Sequence, residues 1–279
     1  LVYSLIKALG FGRSVAFFTA LLFGLHPLSV ESVAWVTERK NLLSVFFFLA
    51  SLNTWLIYRE QKRISFYIAA LILFISGVLS KSQVLVLPLI ILITEIFMER
   101  KWLSRKTVFE IIPFFLIAGA TGIVAVFAQS QALDAADPMP VADRLVYGSF
   151  ALVAYLVKLF LPVNLSALYS YGNEIPWYAY ASVIPTAGFF LLLWYAWKKK
   201  QKVLLFGLAF FLINIIFVLK WFGVPAGAYY MADRYSYLPS AGIILIAVYY
   251  FSQYAARRKN LLYSVAFLVP LIFVFATWN

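Results

Sequence analysis

The chain has 279 residues, 64% of them hydrophobic and 12% charged, with a net charge of +12 and no cysteine. An ordinary soluble domain is roughly half apolar and one-quarter charged, and a chain of this size cannot hide so much apolar surface in its own interior. A soluble globular protein is therefore excluded. A nucleic-acid-binding face is excluded too, because the basic residues sit in short clusters between apolar runs, and so are disulfides and thiolate metal sites.

The apolar runs are about 17 to 20 residues long, enough to cross ~30 Å of hydrocarbon as helices, and Tyr and Trp crowd their ends. In chain order the predicted spans are Leu1–Leu9 (the tail of one), Ser14–Val30, Asn41–Tyr58, Ile64–Ser80 and Ser82–Met98. Phe109–Ala128, Tyr178–Trp197, Val203–Leu219, Ser236–Tyr254 and Asn260–Trp278 follow. The fold class expected is all-α, a polytopic transmembrane helical bundle of about ten spans plus one re-entrant or interfacial helix. That extra helix is Leu145–Leu161, where Lys158 would cost roughly 2.5–3.5 kcal/mol deep in lipid. A full span with Lys158 snorkelling to the surface is the alternative.

Orientation follows from four basic clusters: Arg59/Lys62/Arg63, Arg100/Lys101/Arg105/Lys106, Lys198/Lys199/Lys200/Lys202 and Arg257/Arg258/Lys259. Placing all four in the cytoplasm satisfies the positive-inside rule. Glu31, Glu38, Asp134, Asp137, Asp143, Glu174 and Asp233 then lie outside with Arg39, Lys40, Lys81, Arg144, Lys158, Lys220 and Arg234, leaving that face about neutral. The inner connections carry little except basic anchors, so chemistry is expected on the outer side. Residues 1–279 read as a single transmembrane domain. Leu1 and Asn279 both fall in or at the end of apolar stretches, so the chain is expected to be a segment truncated at both ends.

Three outer segments hold the candidate functional residues. The first runs His26-Pro27 through Glu31, Trp35, Glu38, Arg39 and Lys40 to Asn41. Pro27 ends or kinks the preceding helix. If Ser29–Thr37 is helical, Glu31 and Trp35 share a face, with Glu38 two turns from Glu31. His26, the only histidine, with nearby acids is a weak metal signal, and an interfacial helix with surface ion pairs explains it equally well. The second is Ser80-Lys81-Ser82-Gln83, a hairpin with almost no loop that sets an ammonium at the membrane surface, as a phosphate partner or a snorkelling anchor. The third is Met231-Ala232-Asp233-Arg234-Tyr235-Ser236-Tyr237, whose acid, guanidinium and phenols suit a sugar or a phosphate, or else form an aromatic belt with an incidental ion pair. Lys220 and Tyr169 lie in neighbouring connections and are candidates to converge on the same cavity. Phosphate-binding glycine loops, helical zinc pairs and nucleophile elbows do not occur.

The stretches LHPLSVESVAWVTERKNLLS, GVLSK, KLFLPVNLSALYSY and YYMADRYSYLPSAG, in this order, resemble the transmembrane-and-tetratricopeptide-repeat family of O-mannosyltransferase-like proteins in the GT-C glycosyltransferase superfamily. The resemblance implies a membrane core that moves a sugar, mannose by family, from a polyprenyl-phosphate donor to an exported protein or other acceptor on the outer side. It implies no cofactor, no metal and no nucleic acid, and tetratricopeptide repeats after the last span. It also implies a catalytic acid in a first outer loop preceding Leu1, so the segment lacks it and is expected to be inactive alone. Glu31 and Glu38 are the acids left as catalytic candidates. Lys81 and Arg234 would hold the donor phosphate, and His26, Trp35, Arg39, Asp233, Tyr235 and Tyr237 the sugar or acceptor. A bacterial plasma membrane is expected, with the endoplasmic reticulum as alternative. The competing functions are a non-catalytic anchor presenting a repeat domain and a lipid-linked sugar transporter. Spans bare of central charge and the absence of duplicated halves count against the transporter.

Overall fold

The computed structural model describes residues 1–100, 104–128, 139–170, 175–222 and 229–256. The chain is an all-α bundle. Its helices are α1 (Val2–Ala8), α2 (Arg13–Leu25), α3 (Val30–Ala34), α4 (Arg39–Gln61), α5 (Ile64–Ser80) and α6 (Leu87–Phe97). Then come α7 (Arg105–Ala128), α8 (Val141–Phe160), α9 (Trp177–Ala181), α10 (Val183–Lys198), α11 (Lys202–Ile215) and α12 (Tyr237–Ala255). Two very short strands, β1 (Tyr169–Ser170) and β2 (Tyr229–Met231), pair antiparallel, with Tyr169 opposite Met231.

Four described segments are long and apolar enough to cross a membrane: Val36–Gln61, Arg105–Ala128, Trp177–Lys198 and Asp233–Ala255. Arg13–Leu25 and Pro27–Ala34 make a fifth if that pair, bent by 55°, is one span. Three shorter apolar helices, Ile64–Ser80, Ser82–Phe97 and Lys202–Ile215, complete the set. By this measure the chain is an integral membrane protein. The tally of full-length helices is smaller than the sequence suggests, because hydropathy alone does not see where hydrogen bonding stops. Ser14–Val30 breaks at His26-Pro27, and Val203–Leu219 is helical only to Ile215. Asn260–Trp278 lies outside the described residues. Val141–Phe160 is in neither group, and carries Asp143, Arg144 and Lys158.

The longest consecutive pairing is the α4–α5 hairpin. Lys62 closes α4 in the left-handed conformation (φ 57°), its amide donating to Tyr58 O at 2.8 Å, and Arg63 opens α5. Ser51 Oγ then donates to Ala70 O across the pair at 2.7 Å. Between α11 and α12, Gly207 and Gly242 face each other so closely that a Cβ on Gly207 would sit 2.5 Å from Gly242 O. Small residues permit such backbone approach where no water drives helices together.

Two apolar clusters fill the bundle. The larger takes Phe48, Leu52 and Trp55 of α4, Phe74 of α5, Ile90 of α6 and Phe114 of α7. The smaller joins Leu152 and Tyr155 of α8 to Phe211 of α11 and Ile243 of α12. Outward faces are equally apolar: Leu116 and Val124 on α7, and Ile184 and Leu191 on α10, are more than half exposed. In water such faces would aggregate, whereas hydrocarbon solvates them.

Candidate functional site

Arg39 to Gln61 is one uninterrupted helix, and its two ends organise two groups of charge about 30 Å apart along its axis. At the N-terminal end the chain enters through irregular backbone. His26 leaves α2 in extended geometry, Pro27–Ser29 and Val36–Glu38 are 3-10 turns, and Trp35 between them is extended. The continuous helix expected over Ser29–Thr37 is therefore interrupted after Ala34. The interruption matters, because it turns Glu31 and Glu38 toward the same guanidinium.

Arg234, in the 3-10 turn Asp233–Ser236 ahead of α12, is at the centre. Its backbone amide donates to Glu31 Oε2 and its Nη1 to Glu31 Oε1, both at 2.7 Å. Nη1 also reaches Ala167 O (2.9 Å), Nη2 reaches the Tyr229 hydroxyl (3.2 Å), and Nε lies 3.5 Å from Glu38 Oε1. The guanidinium stands over three rings, with Tyr235 at 5.0 Å, Tyr229 at 5.6 Å and Trp35 at 5.7 Å from their centroids. Lys81, alone between α5 and the 3-10 turn Ser82–Val86, brings Nζ to 3.3 Å from Glu38 Oε2 and 2.9 Å from Asn41 Oδ1. Burial lowers its ammonium pKa, and the carboxylate of Glu38 opposes that shift. Glu38 also caps the N-terminal end of α4, where the helix dipole favours negative charge.

Asn41 knits these parts together. Its Nδ2 donates to Ser32 Oγ (2.9 Å) and to Arg234 O (3.2 Å) while its Oδ1 accepts from Lys81. A small cavity beside it is lined by Ser44, Gln83 and Arg234. Asp233 faces the other way. It accepts from Ser166 N at 2.8 Å and from the Tyr169 hydroxyl at 3.1 Å, and β1–β2 pairing holds that hydroxyl in place. Burial and the Asp233 carboxylate push the Tyr169 phenol well above its usual range. Lys220 Nζ lies 5.7 Å over the Tyr229 ring, so it borders the site through one aromatic layer, and burial lowers its pKa to about 8.

Of the residues singled out in sequence, Glu31, Trp35, Glu38, Lys81, Arg234 and Tyr235 come together, with Asp233, Tyr169 and Lys220 at the edge. His26, Arg39 and Tyr237 do not join them. His26 is buried, its Nε2 2.8 Å from Leu159 O and its Nδ1 accepting from Leu28 N, so it ties α2 to the end of α8. Arg39 is exposed, and Tyr237 stacks on Phe23 at 4.8 Å. Asn41 and Tyr229 join the site without having stood out in sequence; the signal for Asn41 was its place three residues after Glu38, one helical turn on.

The C-terminal end of α4 corrects a further expectation. It holds more than basic anchors. Arg59 bridges Glu95 of α6 and Glu110 of α7, both at 2.8 Å, and Glu95 is fully buried. Trp55 Nε1 donates to Glu95, and the Tyr58 hydroxyl to Glu110. Every one of these groups is partnered across helices.

The fold and the two charge groups define an all-α integral membrane protein with a buried cation–carboxylate cluster at each end of α4. No protein-family model matches the chain, and neither a curated protein nor a solved structure does.

Proposed function

We propose that the chain is the membrane core of a GT-C-type glycosyltransferase, moving a sugar from a polyprenyl-phosphate donor to an acceptor on the extracytoplasmic side. The observation that carries it is the convergence of Lys81 and Arg234 on one carboxylate, Glu38, in a half-enclosed aromatic setting. A phosphoryl group leaving an anomeric carbon needs cations held where its charge grows, and an ammonium and a forked guanidinium from two separate connections meet that need. Trp35, Tyr229 and Tyr235 add faces on which a sugar or prenyl chain packs. In this reading mannose is the sugar, ten spans form the bundle, and the cluster faces outward from a bacterial plasma membrane.

One observation favours a second reading. Both cations are already paired, so the cluster also serves as a latch joining α3, α4 and α12 in a non-catalytic anchor. Sugar transfer by the full-length protein in liposomes, from radiolabelled polyprenyl-phosphate mannose to a pool of exported proteins, separates the two. Label should reach protein, and Lys81→Ala or Arg234→Ala should reduce it by orders of magnitude with insertion intact. Wild-type rates in both variants would return the residues to the anchor.

A further inference from the structure

The two carboxylates of the cluster are held very differently. Glu31 receives two hydrogen bonds of 2.7 Å from a single residue, one from the Arg234 main chain and one from its side chain. Such charge-assisted bonds are at the short end of the normal range, and together they fix both the turn and the guanidinium. Glu38 lies 3.3 Å from Lys81 Nζ and 3.5 Å from Arg234 Nε, beyond that range, and these are its only side-chain contacts with charge among the described residues. Yet it is the one group that both cations share. It is also 6% exposed, so it has little water to compensate for the loose contacts.

Charge balance decides which carboxylate can yield. Two carboxylates and two cations leave the cluster neutral. A phosphodiester entering between Lys81 and Arg234 adds one negative charge to a largely desolvated site. An uncompensated charge there is expensive, so an anion already present must leave or be neutralised. Glu31 cannot leave without releasing the Arg234 backbone, whereas Glu38 gives up only two long contacts.

Resting on the proposed donor clamp, we infer that Glu38 is a displaceable placeholder, occupying the position between Lys81 and Arg234 that the lipid-linked phosphate takes, while Glu31 holds Arg234 in place throughout. Glu38 then sets donor affinity by competing for the cations. Asn41 keeps its bonds to Ser32 and to Arg234 O, so Lys81 retains one fixed partner as the carboxylate swings aside.

The test is binding of a fluorescent short-chain prenyl phosphate to the full-length protein in nanodiscs, with the matching prenol and inorganic phosphate as separate probes. The competing carboxylate predicts opposite signs for two isosteric changes. Glu38→Gln should tighten prenyl-phosphate binding about tenfold and Glu31→Gln weaken it about tenfold, in line with a charged hydrogen bond gained or lost. Glu38→Asp, which withdraws the charge by one methylene, should tighten binding less and serves if the Gln variant does not fold. Prenol should bind equally to all forms. Inorganic phosphate following the same order at lower affinity places the effect on the phosphate alone. Weaker binding by both Glu38 variants would overturn the placeholder and make Glu38 structural. Absence of phosphate-dependent binding by the wild type would instead overturn the donor clamp itself.

Discussion

Lys220 shows what burial does to a single charge in this chain. Its side chain sits over Tyr229 in a mostly buried turn, and desolvation brings its pKa to about 8, against an ordinary value of 10.5. The folded state therefore binds fewer protons than the unfolded chain between those two values. Stability should rise with pH through that window, from about 8 toward about 10.5, because the unfolded state has a proton to lose there. Thermal unfolding in detergent across pH 7 to 11 should show this rise, and Lys220→Met should flatten it; an unchanged profile in the variant would assign the slope to other groups. Lys81 shifts in the same direction for the same reason, but Glu38 and Asn41 hold it at short range. The two lysines thus differ in what the fold sets beside them, a carboxylate for Lys81 and an aromatic ring for Lys220. That difference is not visible in sequence, where both are lone lysines beside apolar runs.

At the scale of elements, the helices are tied by charge as well as by packing. Arg59 joins α4 to α6 and α7 through Glu95 and Glu110, and Trp55 and Tyr58 on the same helix donate to the same two acids. In sequence Arg59 reads as part of a basic anchor, because the acids that neutralise it belong to other helices. Glu95→Ala leaves the Trp55 indole N–H without its acceptor in a buried, apolar setting and Arg59 with Glu110 as its remaining acid, and should cost about 1–3 kcal/mol. The expected result is a fall in thermal midpoint with no change in prenyl-phosphate affinity in the protein that remains folded. A midpoint within a degree of wild type would show that the acid is dispensable to the bundle. The break at His26-Pro27 was legible from proline. The second break at Trp35 was not, and it is what brings Glu31 and Glu38 onto one guanidinium.

For the molecule as a whole, the deciding property is which faces meet which solvent. The chain has no cysteine, so single introduced cysteines report sidedness without background. If the basic clusters face the cytoplasm, as the positive-inside rule expects, a cysteine at Lys62 should react only with reagent supplied from that side, and one at Ser166 only from outside. Ala142 lies in the first turn of α8 and Asn164 beyond its end, and Asp143, Arg144 and Lys158 keep α8 apart from the helices apolar enough to cross. Both positions should therefore label from the outer side. Labelling of Asn164 from the cytoplasm, with Ala142 still labelled from outside, would make α8 a span and reverse everything after it. Lys158 Nζ already donates to Val163 O and Asn164 O at 3.0 and 2.9 Å, so its charge is spent on closing the helix end and not on reaching a distant headgroup.

The sequence alone determined that this chain is helical and membrane-embedded, where most apolar helices lie, and that Lys81 and the Asp233–Arg234 turn stand at helix mouths. Those properties depend on run length, composition and proline, which are local and survive without knowledge of any partner. Only the tertiary structure decided that Glu31, Glu38, Lys81 and Arg234 form one cluster, that His26 meets Leu159 and Tyr237 stacks on Phe23, and that Arg59 has two acids of its own. Charges in a medium of low dielectric must find partners wherever the fold brings them, and those partners here lie on other helices, far away in the chain.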